Sequence, residues 1–315
     1  MTISICIPTY NRPDFLIRAI RSCLDQTFLP SEIIIGDDSK NEASKLLVEQ
    51  LVQTNHLPVK INYHKHPVSK GQANNVNALI ALTHSEWFVL LHDDDMLVNT
   101  ALKDMTDYIS SYPHIDMVYG KQYLIDESDK IDLEHSDYFN NLYFRTPTYE
   151  GNNINSFEAG LIQQIPNNGY LLRTKIAKQI SYRNAPEVGD ACDFDFGFRI
   201  GLAGYKLGYL DRFTSKYRLT KNSISLSNTD FAYRAYKLIL PYYRSSLDRD
   251  RLVQIALSRK SAPAVVEAIQ KGKVSDGWSI YFSPFHRDKI FTLGGFKRII
   301  QLIYASLMLI HGRAN

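Results

Sequence analysis

The first 91 residues repeat one pattern: a short extended run, a polar loop, then apolar residues at helical spacing. Ile3-Ser4-Ile5-Cys6-Ile7 leads through Thr9-Tyr10-Asn11-Arg12-Pro13-Asp14 into Phe15, Leu16, Ala19, Ile20, Cys23 and Leu24. Glu32-Ile33-Ile34-Ile35 ends in Gly36-Asp37-Asp38-Ser39, and a helix is predicted from about 43 to 54. Val59 to His64 predicts a third strand, 71–83 a helix, and Trp87-Phe88-Val89-Leu90-Leu91 a fourth strand with no polar position. Strands that are apolar on both faces must be covered on both faces, which crossover helices between parallel strands accomplish. The predicted class is therefore α/β, with a mostly parallel, doubly wound sheet. Ligands of such sheets bind beyond the carboxyl ends of the strands. The loops at 9–14, 36–39 and 92–95 all leave carboxyl ends, so they are expected to share one pocket.

The 315 residues suggest one large core with an appendage, and 44% hydrophobic against 22% charged residues excludes a mainly disordered chain. A formal charge of +3 gives no basis for nucleic acid as a partner. Cys6, Cys23 and Cys192 have neither disulfide-framework nor zinc-site spacing, which fits a reducing compartment. The N-terminus reads against a secretory leader, and the longest apolar run, Ile299 to Ile310, is too short to span a bilayer. The expected location is cytoplasmic. From about 115 to 225 the alternation fades into Tyr-, Asn- and Asp-rich segments, predicting an irregular half that shapes a substrate site. Helical spacing resumes at 230–272, giving expected domains of 1–228 and a helical 229–315.

Three clusters of acids carry the chemistry. Asp93-Asp94-Asp95 directly follows the apolar fourth strand, where adjacent carboxylates repel unless a cation or donors compensate. Mg²⁺ or Mn²⁺ suits such oxygen ligands. The alternative is that Asp95 caps a helix at roughly 97–110 while its neighbours are solvated. Asp37 and Asp38 form either a turn before a helix or acceptors for a nucleobase N–H or ribose hydroxyl. Asp190 and Asp193 precede the apolar helical set from Phe194 to Leu202, so either caps that helix or serves as an ionised base at its N-terminus. Asp195 is read as a partner of a donor such as Arg199.

Taken in order, these pieces resemble the motifs of inverting family 2 glycosyltransferases with a GT-A fold. The resemblance rests on Ile5-Cys6-Ile7-Pro8-Thr9-Tyr10-Asn11-Arg12, Gln26-Thr27-Phe28, Gly36-Asp37-Asp38-Ser39, and Gly71 with Asn75 and Asn77. Leu91-His92-Asp93-Asp94-Asp95 and the Asp193/Arg199 spacing complete the set, which covers roughly residues 3–225. It implies that Thr9, Tyr10 and Asp38 surround the base of a nucleoside-diphosphate sugar, with Pro8, Asn11, Arg12 and Asn77 also on the donor side. Asp94 is implied as the main ligand of Mn²⁺ or Mg²⁺, with Asp93 close to the ribose and Asp95 close to the donor sugar. Asp193 matches the base, with Asp190 and Arg173 on the side of a glycan or lipid-linked acceptor.

The chain departs from that pattern in three places. His92 replaces the usual first acid, Val76 stands where a basic residue is common, and Tyr217-Arg218 is followed by Leu219-Thr220-Lys221-Asn222 rather than a histidine. A non-catalytic sugar-nucleotide-binding protein therefore stays open. A sugar-phosphate nucleotidyltransferase would carry a glycine-rich loop after the first strand, and Pro8 to Asp14 contains no glycine. Residues 289–313 mix Lys289, Lys297, Arg298 and Arg313 with Phe291, Phe296, Ile300 and Leu307. They predict either a helix packed on the core or one lying on a membrane, peripheral on its cytoplasmic face.

Overall fold

A computed structural model describes residues 1–54, 56–220, 231–243 and 250–311. The chain divides into two compact units. The first comprises Met1–Asn184 and Phe196–Thr220, the second Ala185–Asp195 and Lys221–Asn315. The domain boundary expected near 228 and Arg313 lie outside the described residues.

The first unit opens with the expected alternation: β1 (Ile3–Thr9), α1 (Pro13–Leu24), β2 (Glu32–Asp37), α2 (Ala43–Thr54), β3 (Lys60–Lys65), α3 (Gln72–Leu82) and β4 (Trp87–Leu90). Next come β5 (Met96–Leu97), α4 (Ala101–Ser111), β6 (Met117–Ile125), β7 (Ile131–Asp132), α5 (Leu133–Leu142) and α6 (Ser156–Leu161). After β8 (Leu171–Arg173) and α7 (Thr174–Ile180) the chain enters the second unit with α8 (Ala185–Val188), and α9 (Cys192–Leu202) starts there and ends in the first unit, before β9 (Leu207–Arg218).

The strand order is β3-β2-β1-β4-β8-β6-β9-β5, with β7 pairing the outer part of β6. β3, β2, β1 and β4 are mutually parallel, and the isoleucines of β1 and β2 are essentially inaccessible. Beyond β4 the sheet is mixed rather than mostly parallel: β8 runs antiparallel to β4 and β6, and β5 to β9. An antiparallel neighbour needs no crossover helix, so the βαβ rhythm stops where these strands enter.

Two local expectations are corrected. The helix expected at 97–110 begins at Ala101 with Thr100 before it, since Met96–Leu97 pairs with β9. Asp95 is thus too far upstream to cap it. The half expected to be irregular contains two long strands, β6 and β9, paired in parallel. Their alternation is hidden because polar side chains are buried and bonded in this region: Gln122 donates to Ser215 Oγ and its backbone N–H donates to Asn140, while Arg145 donates to Gln122.

The second unit is helical. It contains α10 (Phe231–Ile239), α11 (Asp250–Gln270), α12 (Val274–Tyr281) and α13 (Leu293–His311), and the short turn at Gly189–Ala191 packs on α10. No helix among the described residues is long and apolar enough to cross a membrane.

Candidate active site

β4 ends at the sheet edge, and the chain turns at once, Asp95 N–H donating to the His92 carbonyl. That turn aims three consecutive carboxylates in different directions. Asp93 reaches back to the loop after β1, where it accepts from Thr9 Oγ1 at 2.7 Å, Tyr10 N–H at 3.2 Å and Arg12 at 3.4 Å. Burial, then the neighbouring Asp94, push its pKa up to about 6 despite the compensation from Arg12 and Thr9. Asp94 meets the Arg12 guanidinium at 2.5 Å. Asp95, the most deeply buried, accepts from Asn168 Nδ2 at 2.7 Å and from Arg218 N–H at 2.8 Å. Its pKa is pushed up to about 7, by burial first and by Asp94 second.

Arg218 braces this turn from within. Its guanidinium is buried, donates from Nε to the Asp94 carbonyl at 2.7 Å, pairs with Asp129, and lies 4.8 Å over the Phe15 ring. Asn168 also lies 3.2 Å from His92 Nδ1. His92, Asp94 and Asp95 each offer a ligand atom, all within 4.8 Å of one another. Two carboxylates and an imidazole form a donor set that fits a divalent cation such as Mn²⁺, with the imidazole favouring a first-row transition metal over Mg²⁺. His92, which stands in place of the usual first acid, is thus itself part of the cluster. Sequence reasoning also missed Asn168, although an Asn-Asn-Gly loop immediately before the apolar Tyr170-Leu171-Leu172 marks a position at a strand entrance.

The loop after β2 closes the other side. Burial alone would raise the Asp37 carboxyl, but bonds from Ser39, Tyr63 and Lys65 outweigh it and hold it below the usual range. Asp38 accepts from Gly71 N–H at 2.8 Å, Lys70 N–H at 3.0 Å and Ser69 Oγ at 3.3 Å, so it closes the turn that starts α3. Its backbone N–H donates to the Thr9 carbonyl, joining the β1 and β2 loops. Asn11 adopts a left-handed φ of 55° and donates its N–H to Ser39 Oγ. Pro8 opposite Gly36 brings the two strands to the pocket edge, where the Tyr10 side chain stands half exposed.

Two expected site residues serve elsewhere. Asn77 is spent on the main chain of Tyr182, donating to its carbonyl at 2.8 Å and accepting from its N–H at 2.7 Å, which makes it a clamp between α3 and the chain after α7. Arg173 pairs across the sheet with Trp87, at the amino end of β4 and so at the edge opposite His92–Asp95. There it stacks over the Trp87 ring and pairs with Glu86, because an antiparallel β8 ends where β4 begins.

Asp190 and Asp193 belong to the second unit. Asp190 is exposed in the short turn before α9, and Asp193 is half-buried in the first turn of α9. Arg199, further along α9, donates to the carbonyls of Ile180 and Ser181.

The family model for glycosyl transferase family 2 matches residues 4–165. An uncharacterized glycosyltransferase of Methanocaldococcus jannaschii is 23% identical over 228 residues, covering 71% of this chain and 73% of that protein. A GalNAc(5)-diNAcBac-PP-undecaprenol beta-1,3-glucosyltransferase of Campylobacter jejuni is 30% identical over 115 residues, 36% of each chain. The abequosyltransferase RfbV of Salmonella typhimurium is 29% identical over 117 residues, 36% of this chain and 34% of that one. These two matches thus span about a third of the relatives' length. Among solved structures, TarS of S. aureus in complex with UDP-GlcNAc superposes with a TM-score of 0.61 at 15% identity, over 97% of this chain and 81% of that one. A mannosyltransferase of Pyrobaculum calidifontis in complex with GDP-Man and Mn²⁺ gives 0.57 at 12% identity, over 97% and 86%. The fold is that of GT-A glycosyltransferases.

Proposed function

This chain belongs to glycosyl transferase family 2, and we propose that it transfers a sugar, with inversion, from a nucleoside-diphosphate sugar to a hydroxyl of a glycan or lipid-linked acceptor. The observation that carries this reading is the meeting of three loops at one sheet edge. Asp93 ties the β1 loop to the β4 loop, Asp38 joins the β2 loop to the start of α3, and the His92, Asp94 and Asp95 ligand atoms lie together. The half-exposed Tyr10 ring offers a face for a base, and Asp38 an acceptor for its N–H groups or for ribose. Arg12 offers two further donors toward a diphosphate.

Asp94, with His92 and Asp95, would hold a divalent cation, which would supply positive charge against the leaving diphosphate. Asp193 is the proposed base. A carboxylate in the first turn of an eleven-residue helix is favoured as the anion, which is the form that can take a proton. It removes the proton of the acceptor hydroxyl as that oxygen attacks the anomeric carbon. The bond from that carbon to the diphosphate breaks on the opposite face, so configuration inverts. Relatives named as an abequosyltransferase and as an undecaprenol-linked glucosyltransferase support a role in cell-surface polysaccharide or glycoconjugate synthesis.

A panel of nucleotide sugars, screened with Mn²⁺ for thermal stabilisation and then for nucleotide release, tests this. A ligand at 100 times its Kd stabilises by about 2.7 kcal/mol, so the cognate donor should stand out. Asp193→Asn should lower turnover by roughly 10²-fold or more with donor affinity nearly intact, and Asp190→Asn should cost much less. The reverse order under saturating substrates moves the base to Asp190. Donor binding by the wild type without release or transfer to any acceptor would favour a sugar-nucleotide-binding protein.

A further inference from the structure

Within the second unit, α13 is apolar on two faces. One face is used: Leu302 is fully buried against α12, Trp278 Nε1 donates to Ser306 Oγ at 3.0 Å, and Arg298 donates to His286. The other face carries Leu293, Phe296, Ile300, Ile303, Tyr304 and Leu307, which fall within about 100° of arc at 3.6 residues per turn. Leu293 is 91% exposed, Ile300 65%, Tyr304 60% and Phe296 55%. A helix on the surface of a soluble protein turns charged and polar residues to solvent, so this outward stripe is a surface made to be covered.

Charge decides what covers it. Residues 287–311 carry four Lys and Arg against one acid, and no Asp or Glu follows Asp288 up to His311. A second copy using the same face in a two-fold contact would bring like-charged patches together. The chain's own segments outside the described residues, 221–230, 244–249 and 312–315, are mostly polar in sequence and offer no matching apolar stripe. An anionic lipid surface satisfies both features, since headgroups take Lys297 and Arg287 while the aromatic and aliphatic side chains enter the acyl boundary. At 19 residues, and with Lys297 and Arg298 inside it, α13 is not long and apolar enough to cross a bilayer.

We propose that the outward face of α13 is a docking surface for an anionic membrane, binding parallel to the bilayer plane. This goes beyond the transfer reading and stands apart from it, because the test reads vesicle partition and not turnover. The 315-residue chain is sedimented with vesicles of phosphatidylglycerol and phosphatidylethanolamine, and with vesicles of phosphatidylcholine alone. The wild type should partition onto the anionic vesicles, and Phe296→Glu with Ile300→Glu should weaken that on the order of tenfold or more. Lys297→Glu should weaken it less and only on anionic vesicles. Because all three side chains are exposed, the variants should melt as the wild type does, and Ile300→Ser serves as a milder variant should the glutamates perturb folding. Wild-type binding that is absent, equal on both vesicle types, or unchanged by the apolar substitutions would overturn the proposal. So would a dimer that the same substitutions dissociate in the absence of vesicle binding, which would give the face to a second copy.

Discussion

Asp94 is shared by two demands, since Arg12 already pairs with it and a divalent cation would use the same carboxylate. Burial lowers the pKa of the Arg12 guanidinium, yet Asp94 and Asp93 together raise it above its ordinary value, so the ion pair outweighs desolvation. Replacing that guanidinium with an amide removes both a competitor and a repulsive charge. Arg12→Gln should therefore bind Mn²⁺ alone more tightly, on the order of tenfold, while binding the donor more weakly. Mn²⁺ titration followed by electron paramagnetic resonance reads the first effect without nucleotide, and an unchanged affinity would show that the two cations do not compete. Asp94→Asn should abolish Mn²⁺-dependent donor binding, whereas Asp95→Asn should spare more of it, because Asp95 shares its oxygens with Asn168 and Arg218. Equal donor affinity of the wild type with and without chelator would remove the metal from the reading. Protonation adds a pH dependence of definite sign. With Asp95 pushed up to about 7, a cation must displace a proton below that pH and none above it. Mn²⁺ affinity should rise as pH increases through about 7 and level off beyond, and calorimetry in buffers of different ionisation enthalpy would report the released proton.

Between residue and site stand the elements that hold the loops, and Gly36 shows how tight that support is. A Cβ at Gly36 would lie 2.2 Å from Asn75 Oδ1, on the helix whose amide donates to the Gly36 carbonyl at 2.8 Å and whose oxygen meets His66. Gly36→Ala must push α3 away from β2 or turn Asn75 out of its bonds. We expect a loss of about 1–3 kcal/mol of stability, read by denaturant unfolding, together with weaker donor binding through the displaced Asp38 turn. A variant as stable as the wild type would mean that α3 yields freely. This same half of the sheet was legible in the sequence because β1, β2 and β4 are buried on both faces and their helices lie between them in the chain. The Asp37-Asp38 and Asp93-Asp94-Asp95 loops could be assigned to one sheet edge for that reason. The other half was not legible, since β6 and β9 pair far apart in sequence and bury Gln122, Thr214 and Ser215, which read as surface residues. Nor could spacing reveal that Asn77 and Arg173 turn to structural partners, because each partner lies far off in the chain, Tyr182 for Asn77 and Glu86 and Trp87 for Arg173.

At the scale of the whole molecule, the two units carry different electrostatic burdens. The sheet unit concentrates carboxylates whose charge a cation would relieve. The helical unit instead buries a cation: Lys260 on α11 is 8% exposed, with its Nζ 4.8 Å over the Phe194 ring and 4.7 Å over Phe231. Phe194 adjoins Asp193, so this lysine helps to fix the segment that carries the proposed base. Burial, and then Arg259, push its pKa down to about 7 from an ordinary 10.5, with Glu267 acting in the other direction. Between those two values the unfolded chain holds a proton that the folded one lacks, so stability rises with pH across the window and is level below it. The two aromatic faces return part of the cost once the ammonium forms. Lys260→Met keeps the length and apolar stem and removes the ionisable group. The variant should therefore gain more over the wild type at pH 7 than at pH 10, by a few kcal/mol at most. Denaturant unfolding of both proteins at the two pH values measures that difference of differences, and donor affinity should not change. If the gap between the proteins is the same at pH 7 and pH 10, Lys260 keeps its proton throughout, and the aromatic pair holds it as a cation.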